Sequence, residues 1–247
     1  DVVRTTYLLP GLIKKYGNNT KVFWVSSKMA FSLLKYNTFI DTIIDIENTK
    51  EIKKLEEIEF DLVLSLEDEF EVLSKFKNIK YKKISGALLT LEGISYTEDL
   101  KKWYDMSLIS KFGKEKADIL KKENKESHAQ IFSEGLEIDK VEPYYFNSKD
   151  VESKVESYLS LFKKNFYLLG LNLSAGKRWT SKSLLLSEAK KLIEMILKYR
   201  KRRVFIFLLG GKDDLEYNKN IFNEYKNFIP VTCDLSKLDD LEKTLHS

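Results

Sequence analysis

Short apolar runs separated by segments of helical spacing recur along this chain, and that alternation constrains its fold more than any other feature. Residues 61–66, 166–173 and 204–209 are nearly continuous apolar stretches, and shorter ones occupy 22–25 and 43–46. A continuous run suits a strand buried on both faces, which is the situation of a parallel sheet covered by helices. Residues 81–85 predict a further strand that stops at Gly86. The helical segments between the runs then serve as crossovers, so the chain reads as α/β.

Taken in order, residues 1–16 predict a helix kinked or restarted near Pro10, with helices following at 27–36, 50–58 and 67–77. This first half is Rossmann-like, without the strand that should feed its first helix. Residues 96–136 read as three helical pieces with no strong strand among them, an appendage on the first domain. The stretch 139–150 holds Pro143, Asn147 and Ser148 and lacks periodicity, which makes it the linker. Domains are therefore expected at 1–150 and 151–247. The second half restarts the alternation with a helix at 151–164, the strand at 166–173, a helix at 187–200 and the strand Val204–Leu209. A helix at 213–226, a short strand at 228–231 and a helix after Leu238 follow. Three strands are few for such a sheet, so the second domain is expected to be incomplete.

A formal charge of +4 on 247 residues is too slight a bias to indicate nucleic acid. The single cysteine, Cys233, allows no internal disulfide and forms no zinc pattern. A reducing cytoplasm is the default for such a chain. No apolar run has the length that spans a bilayer.

The stretch from Leu171 to Trp179 draws attention, because an apolar strand stops at Ser174, Ala175 and Gly176 and then presents Lys177 and Arg178. Ligands of parallel sheets sit beyond the carboxyl ends of strands, where small residues let backbone N–H groups approach an anion. The P-loop pattern fails on spacing, since Leu171 stands where its first glycine belongs and Arg178 where its Ser or Thr belongs. Two readings remain open: a phosphate-binding loop and a basic surface turn. Trp179 either lines that loop or packs on the strand ends. Lysines at 75, 77, 80, 82 and 83 suit a solvated surface, with anionic lipid as the alternative.

Set together, Asp1-Val2-Val3-Arg4-Thr5-Thr6 with Leu8-Leu9-Pro10, then Asn172 to Trp179, then Leu208-Leu209-Gly210-Gly211 with Glu216 and Asn218, resemble glycosyltransferase family 9. These are the heptosyltransferases of lipopolysaccharide core assembly. Residues 60–64 and 116–118, with Ser127, resemble segments of the same family's first domain. The resemblance implies a GT-B fold of two Rossmann-like domains facing a cleft, with the acceptor on the first and the nucleotide-sugar donor on the second. It implies an inverting, metal-independent transfer of a heptose from ADP-heptose to a lipid-linked saccharide acceptor. No cofactor is implied, and peripheral contact with the cytoplasmic face of the inner membrane is allowed.

The resemblance also distributes roles. Asp1 aligns with the acidic general base, which a helix N-cap or exposed terminus would otherwise explain. Lys177 aligns with the lysine that stabilises the departing diphosphate. Ser174, Ala175, Gly176 and Arg178 would contact the donor phosphates. Gly210 and Gly211 would turn the chain against the ligand, and Glu216 would accept hydrogen bonds from ribose hydroxyls. A solvated helix face is the alternative for Glu216. The family's glycine before Asp1 and its later acidic turn with a histidine have no counterpart here, and His246 lacks the surroundings of that histidine. The chain is thus expected to be clipped at both ends and poorly active as it stands, and a non-catalytic sugar-nucleotide-binding or scaffolding protein is the rival reading.

Overall fold

A computed structural model describes residues 2–141, 146, 148–198, 203–225 and 231–232. The chain divides into two compact units, Asp1–Ser148 and Lys149–Ser247.

In the first unit, α1 (Val2–Thr5) and α2 (Leu8–Tyr16) precede β1 (Phe23–Ser26), α3 (Phe31–Leu34), β2 (Thr42–Asp45), α4 (Thr49–Leu55), β3 (Glu59–Ser65) and α5 (Phe70–Lys75). Next come β4 (Lys80–Thr90), β5 (Gly93–Tyr96), α6 (Lys101–Tyr104), α7 (Gly113–Glu123) and α8 (His128–Leu136). The restart expected near Pro10 falls at Leu8. Pro10 falls in the first turn of α2, where its missing N–H removes no helical bond. Strands β1 and β2 pair in parallel, as do β3 and β4.

The predicted stop at Gly86 is wrong: β4 runs through it for 11 residues and folds back on β5 as an antiparallel hairpin. The hairpin escapes the sequence reading because Gly86 reads as a strand end and the residues from 96 onward as helical. Gly86 instead lets β3 come close. Its φ is +115°, and a Cβ there would lie 1.9 Å from the Ser65 carbonyl oxygen. Strands β3 and β4 pack beneath a core formed by Tyr7, Leu8, Leu100, Tyr104, Ile131 and Phe132. Of the basic segment, Lys75 pairs with Glu47 at 2.6 Å, Lys82 with Asp61 at 2.6 Å and Lys83 with Asp99 at 3.5 Å.

An aromatic cluster fastens the first helices to α8. His128 stacks on Phe132 with ring centres 4.2 Å apart and meets Trp103 edge-on at 4.6 Å. The buried Tyr7 hydroxyl lies 2.9 Å from His128 Nδ1. Burial, aided by the nearby Arg4 charge, pushes the His128 imidazole down to about 4. The ring is neutral at pH 7 and serves as an aromatic filler.

The second unit contains α9 (Lys149–Lys163), β6 (Tyr167–Asn172), α10 (Leu186–Lys198), β7 (Val204–Leu209), α11 (Leu215–Tyr225) and β8 (Val231–Thr232), the strands forming a parallel sheet in that order. The central strand β7 is buried on both faces. Ile206 and Leu208 join the core with Ala189 and Ile193 of α10 and Ile221 of α11. Phe205 meets Phe162 of α9 at 4.2 Å on the other face, with Phe207 beside it. Each such side chain contributes about 1.5–3 kcal/mol by leaving water. The expected helix after Leu238 lies outside the described residues.

Two outcomes test this packing. Gly86→Ala should destabilise the protein by about 2–4 kcal/mol in chemical denaturation, because strain and a backbone clash coincide. Gly17→Ala should cost only about 1 kcal/mol, since Gly17 also has positive φ but nothing lies within 4 Å of its added Cβ. For His128, the folded pKa lies below the unfolded value, so stability is complete above about pH 6.5 and declines as pH falls toward 4. Thermal unfolding of His128→Phe between pH 7 and 5 should lose that slope.

Candidate functional site

The parallel register of β6 and β7, with Asn172 opposite Leu209, brings the carboxyl ends of both strands side by side. After β6 the chain makes a closed loop. The Leu184 N–H donates to the Leu173 carbonyl at 3.0 Å, and the Tyr217 hydroxyl donates to the Leu184 carbonyl at 2.9 Å. Inside the loop a 3-10 turn spans Lys177–Lys182, entered through Gly176 at φ +65°. That left-handed entry strains any side-chain-bearing residue.

The loop after β7 meets this one through a single carboxylate. Asp214 Oδ1 accepts hydrogen bonds from Ser174 Oγ and, at 2.9 Å, from the Gly176 N–H. Its Oδ2 accepts from the Gly211 N–H at 2.8 Å. Asp214 is only 6% exposed, so these donors replace water. The bond from Ser174, followed by those from Gly211 and Gly176, holds the carboxyl below the usual aspartate range. Asn218, on the next turn, is buried at 1% exposure and donates from Nδ2 to the Leu209 carbonyl at 3.4 Å. Gly210 is required beside them, because a Cβ would lie 2.8 Å from Asp214 Cβ and 2.9 Å from Asn218 Nδ2.

The residues singled out in the sequence fall into three groups. Ser174, Ala175, Gly176, Gly210 and Gly211 converge at the two strand ends, but their donors serve the protein itself: Ser174, Gly176 and Gly211 bond Asp214, and the Ala175 N–H bonds Ser183 Oγ at 2.9 Å. Glu216 stands exposed in the first turn of α11. Lys177 and Arg178 have their backbone in the 3-10 turn, and their side chains, with that of Trp179, lie outside the described structure. Asp1 and His246 also lie outside the described residues. Sequence reasoning passed over Asp214, whose signal was its position three residues beyond Gly211 at a helix start, where a carboxylate reaches back to the cap N–H. Among the described residues no three His, Cys, Asp or Glu side chains group as metal ligands.

The sequence matches no protein-family profile and no curated protein at a significant level. Solved structures do match. A glycosyl transferase family 9 protein from Veillonella parvula superposes with a TM-score of 0.61 at 16% identity, over 94% of this chain and 65% of that one. The ADP-heptose lps heptosyltransferase II of E. coli superposes with a TM-score of 0.61 at 14% identity, over 97% of this chain and 71% of that one. The chain therefore has the α/β fold of glycosyltransferase family 9 structures, the GT-B type, and spans about two thirds of their length.

Asp214→Asn tests the junction. An amide cannot accept on both sides of its head group, so the loss should be about 1–3 kcal/mol. The Asp214 carboxyl is depressed in the folded state, so its contribution is complete above the ordinary aspartate value near ~3.9 and is lost as pH falls through the folded value. The stability gap between wild type and variant should stay constant at neutral pH and close below about pH 4 in urea titrations.

Proposed function

We propose that the protein carrying this chain is an inverting glycosyltransferase that moves a heptose from ADP-heptose to a lipid-linked lipopolysaccharide core saccharide. One observation supports this most: a family 9 fold over nearly the whole chain, with Lys177 opening the 3-10 turn at the strand ends of the second unit. The first unit is the acceptor domain and the second the donor domain in this reading. The work is cytoplasmic, at the face of the inner membrane where a lipid-linked acceptor is presented.

The chemistry assigns each group a task. The acceptor hydroxyl attacks the anomeric carbon while Asp1 takes its proton, a new C–O bond forms, and the bond to the donor phosphate breaks with inversion. Negative charge grows on the departing diphosphate, and the Lys177 ammonium, assisted by Arg178, stabilises it more in the transition state than in the ground state. Gly210 and Gly211 keep the second loop low beside the nucleotide, and Glu216 accepts from its ribose hydroxyls. The residues require no metal for this sequence of events.

A second reading has its own support. Ser174, Gly176 and Gly211 direct their donors to Asp214 and not to solvent. A chain that retained the fold as a sugar-nucleotide-binding or scaffolding module would tolerate that arrangement without turnover.

Transfer assays on the full protein separate the two. ADP should bind more tightly than UDP, and transfer from ADP-heptose should persist in a chelator. Lys177→Ala should lower kcat by roughly 100-fold with a smaller change in KM. Asp1→Asn should lower kcat comparably. Undiminished transfer by the double variant removes both assignments, and tight nucleotide binding without any turnover establishes the second reading.

A further inference from the structure

The loop between α6 and α7 exposes large apolar side chains on a backbone that is firmly held. Tyr96 of β5 bonds Asp105 Oδ1 at 2.5 Å, and its hydroxyl oxygen accepts the Lys111 N–H at 3.1 Å. Serine side chains fix the rest: the Ile109 N–H donates to Ser107 Oγ at 3.2 Å and the Phe112 N–H to Ser110 Oγ at 3.3 Å. Met106 and Ile109 pack on the core of the first unit. Leu108 and Phe112 point the other way, 91% and 51% exposed.

Helix α7 continues the pattern. Phe112, Lys116 and Ile119 fall at i, i+4 and i+7, a single stripe, and Ile119 is 47% exposed. Lys111 lies over the Phe112 ring at 5.3 Å. From residue 107 to the end of α7 there are five lysines against three carboxylates, and one of those carboxylates, Asp118, is held by Lys114 at 3.0 Å. In the basic stretch at 75–83, Lys75, Lys82 and Lys83 each meet a carboxylate, as Lys114 does here. Lys111 lies near enough to Glu98 to help hold its carboxyl down.

We propose that this loop and the start of α7 dock the first unit on an anionic phospholipid surface. Leu108 and Phe112 would enter the interfacial layer while Lys111 and Lys116 meet headgroup phosphates. Isolated apolar tips separated by lysines suit a fluid bilayer, in which ammonium groups rise to the headgroups while their stems stay apolar. They suit a protein partner poorly, because lysine is depleted from the cores of protein interfaces. The bonds from Tyr96, Ser107 and Ser110 keep the tips extended without help from a partner. This inference does not rest on the transferase reading, since vesicle partition requires no sugar donor.

The test is sedimentation of the full protein with phosphatidylglycerol-rich vesicles and with pure phosphatidylcholine vesicles. Binding to the first and not the second is expected. The double variant Leu108→Asp, Phe112→Asp should bind at least about tenfold more weakly, with its unfolding temperature unchanged. Lys111→Gln with Lys116→Gln should weaken binding and its salt dependence together. Leu108→Trp should retain binding and shift its fluorescence to the blue on vesicles, which keeps the test decisive if the aspartates unfold the loop. Absence of partition, partition that all variants leave unchanged, or a concentration-dependent dimer abolished by the aspartates in the absence of lipid would each overturn the proposal.

Discussion

The two strand-end loops of the second unit are held to one another by a single carboxylate. Asp214 receives a hydroxyl and an N–H from the loop after β6 and an N–H from the loop after β7. Parallel strands have no turn joining their carboxyl ends, so neighbouring loops there are free to diverge unless something ties them. A charged acceptor buried with three donors is a strong tie, because hydrogen bonds to an ionised group are worth roughly twice those between neutral ones. The glycines around it follow as necessities. Gly210 makes room for the Asp214 and Asn218 side chains, and Gly176 supplies the positive φ that turns its N–H toward the carboxylate.

Much of this architecture is legible in the amino acids. Residues 204–209 declare a strand covered on both faces, and α10 shows its buried stripe through Ala189 and Ile193. Gly86 defeats the same reasoning. In a single strand a glycine reads as an end, and only the neighbouring strand explains why it is a point of close approach. Asp214 is hidden for a similar reason. Beside Asp213 and Glu216 it looks like the usual acidic enrichment of a helix start, and its other two donors lie some forty residues away in sequence. Glu216, chosen in the sequence for chemistry, stands exposed beside it.

The superposed structures show how little residue identity this fold requires. At 14–16% identity the backbone still follows the family 9 course with a TM-score of 0.61. A fold can tolerate such divergence where it imposes conditions on residue class and backbone angle rather than on particular side chains.

The carboxylate junction also sets the electrostatics of anything bound beside it. Three donors that would face an anion are turned inward, and they surround a negative charge. An anion brought beside them would face that negative charge rather than free donors. Affinity for an anion there has to come from cations. The chain places two directly after the glycine turn, Lys177 and Arg178, and a third, Lys212, directly after Gly211. In the transferase proposed above, Asp214 and these cations would divide the work: the carboxylate holds the loops in place, and the basic residues that follow each glycine would supply the charge that the occupied donors cannot.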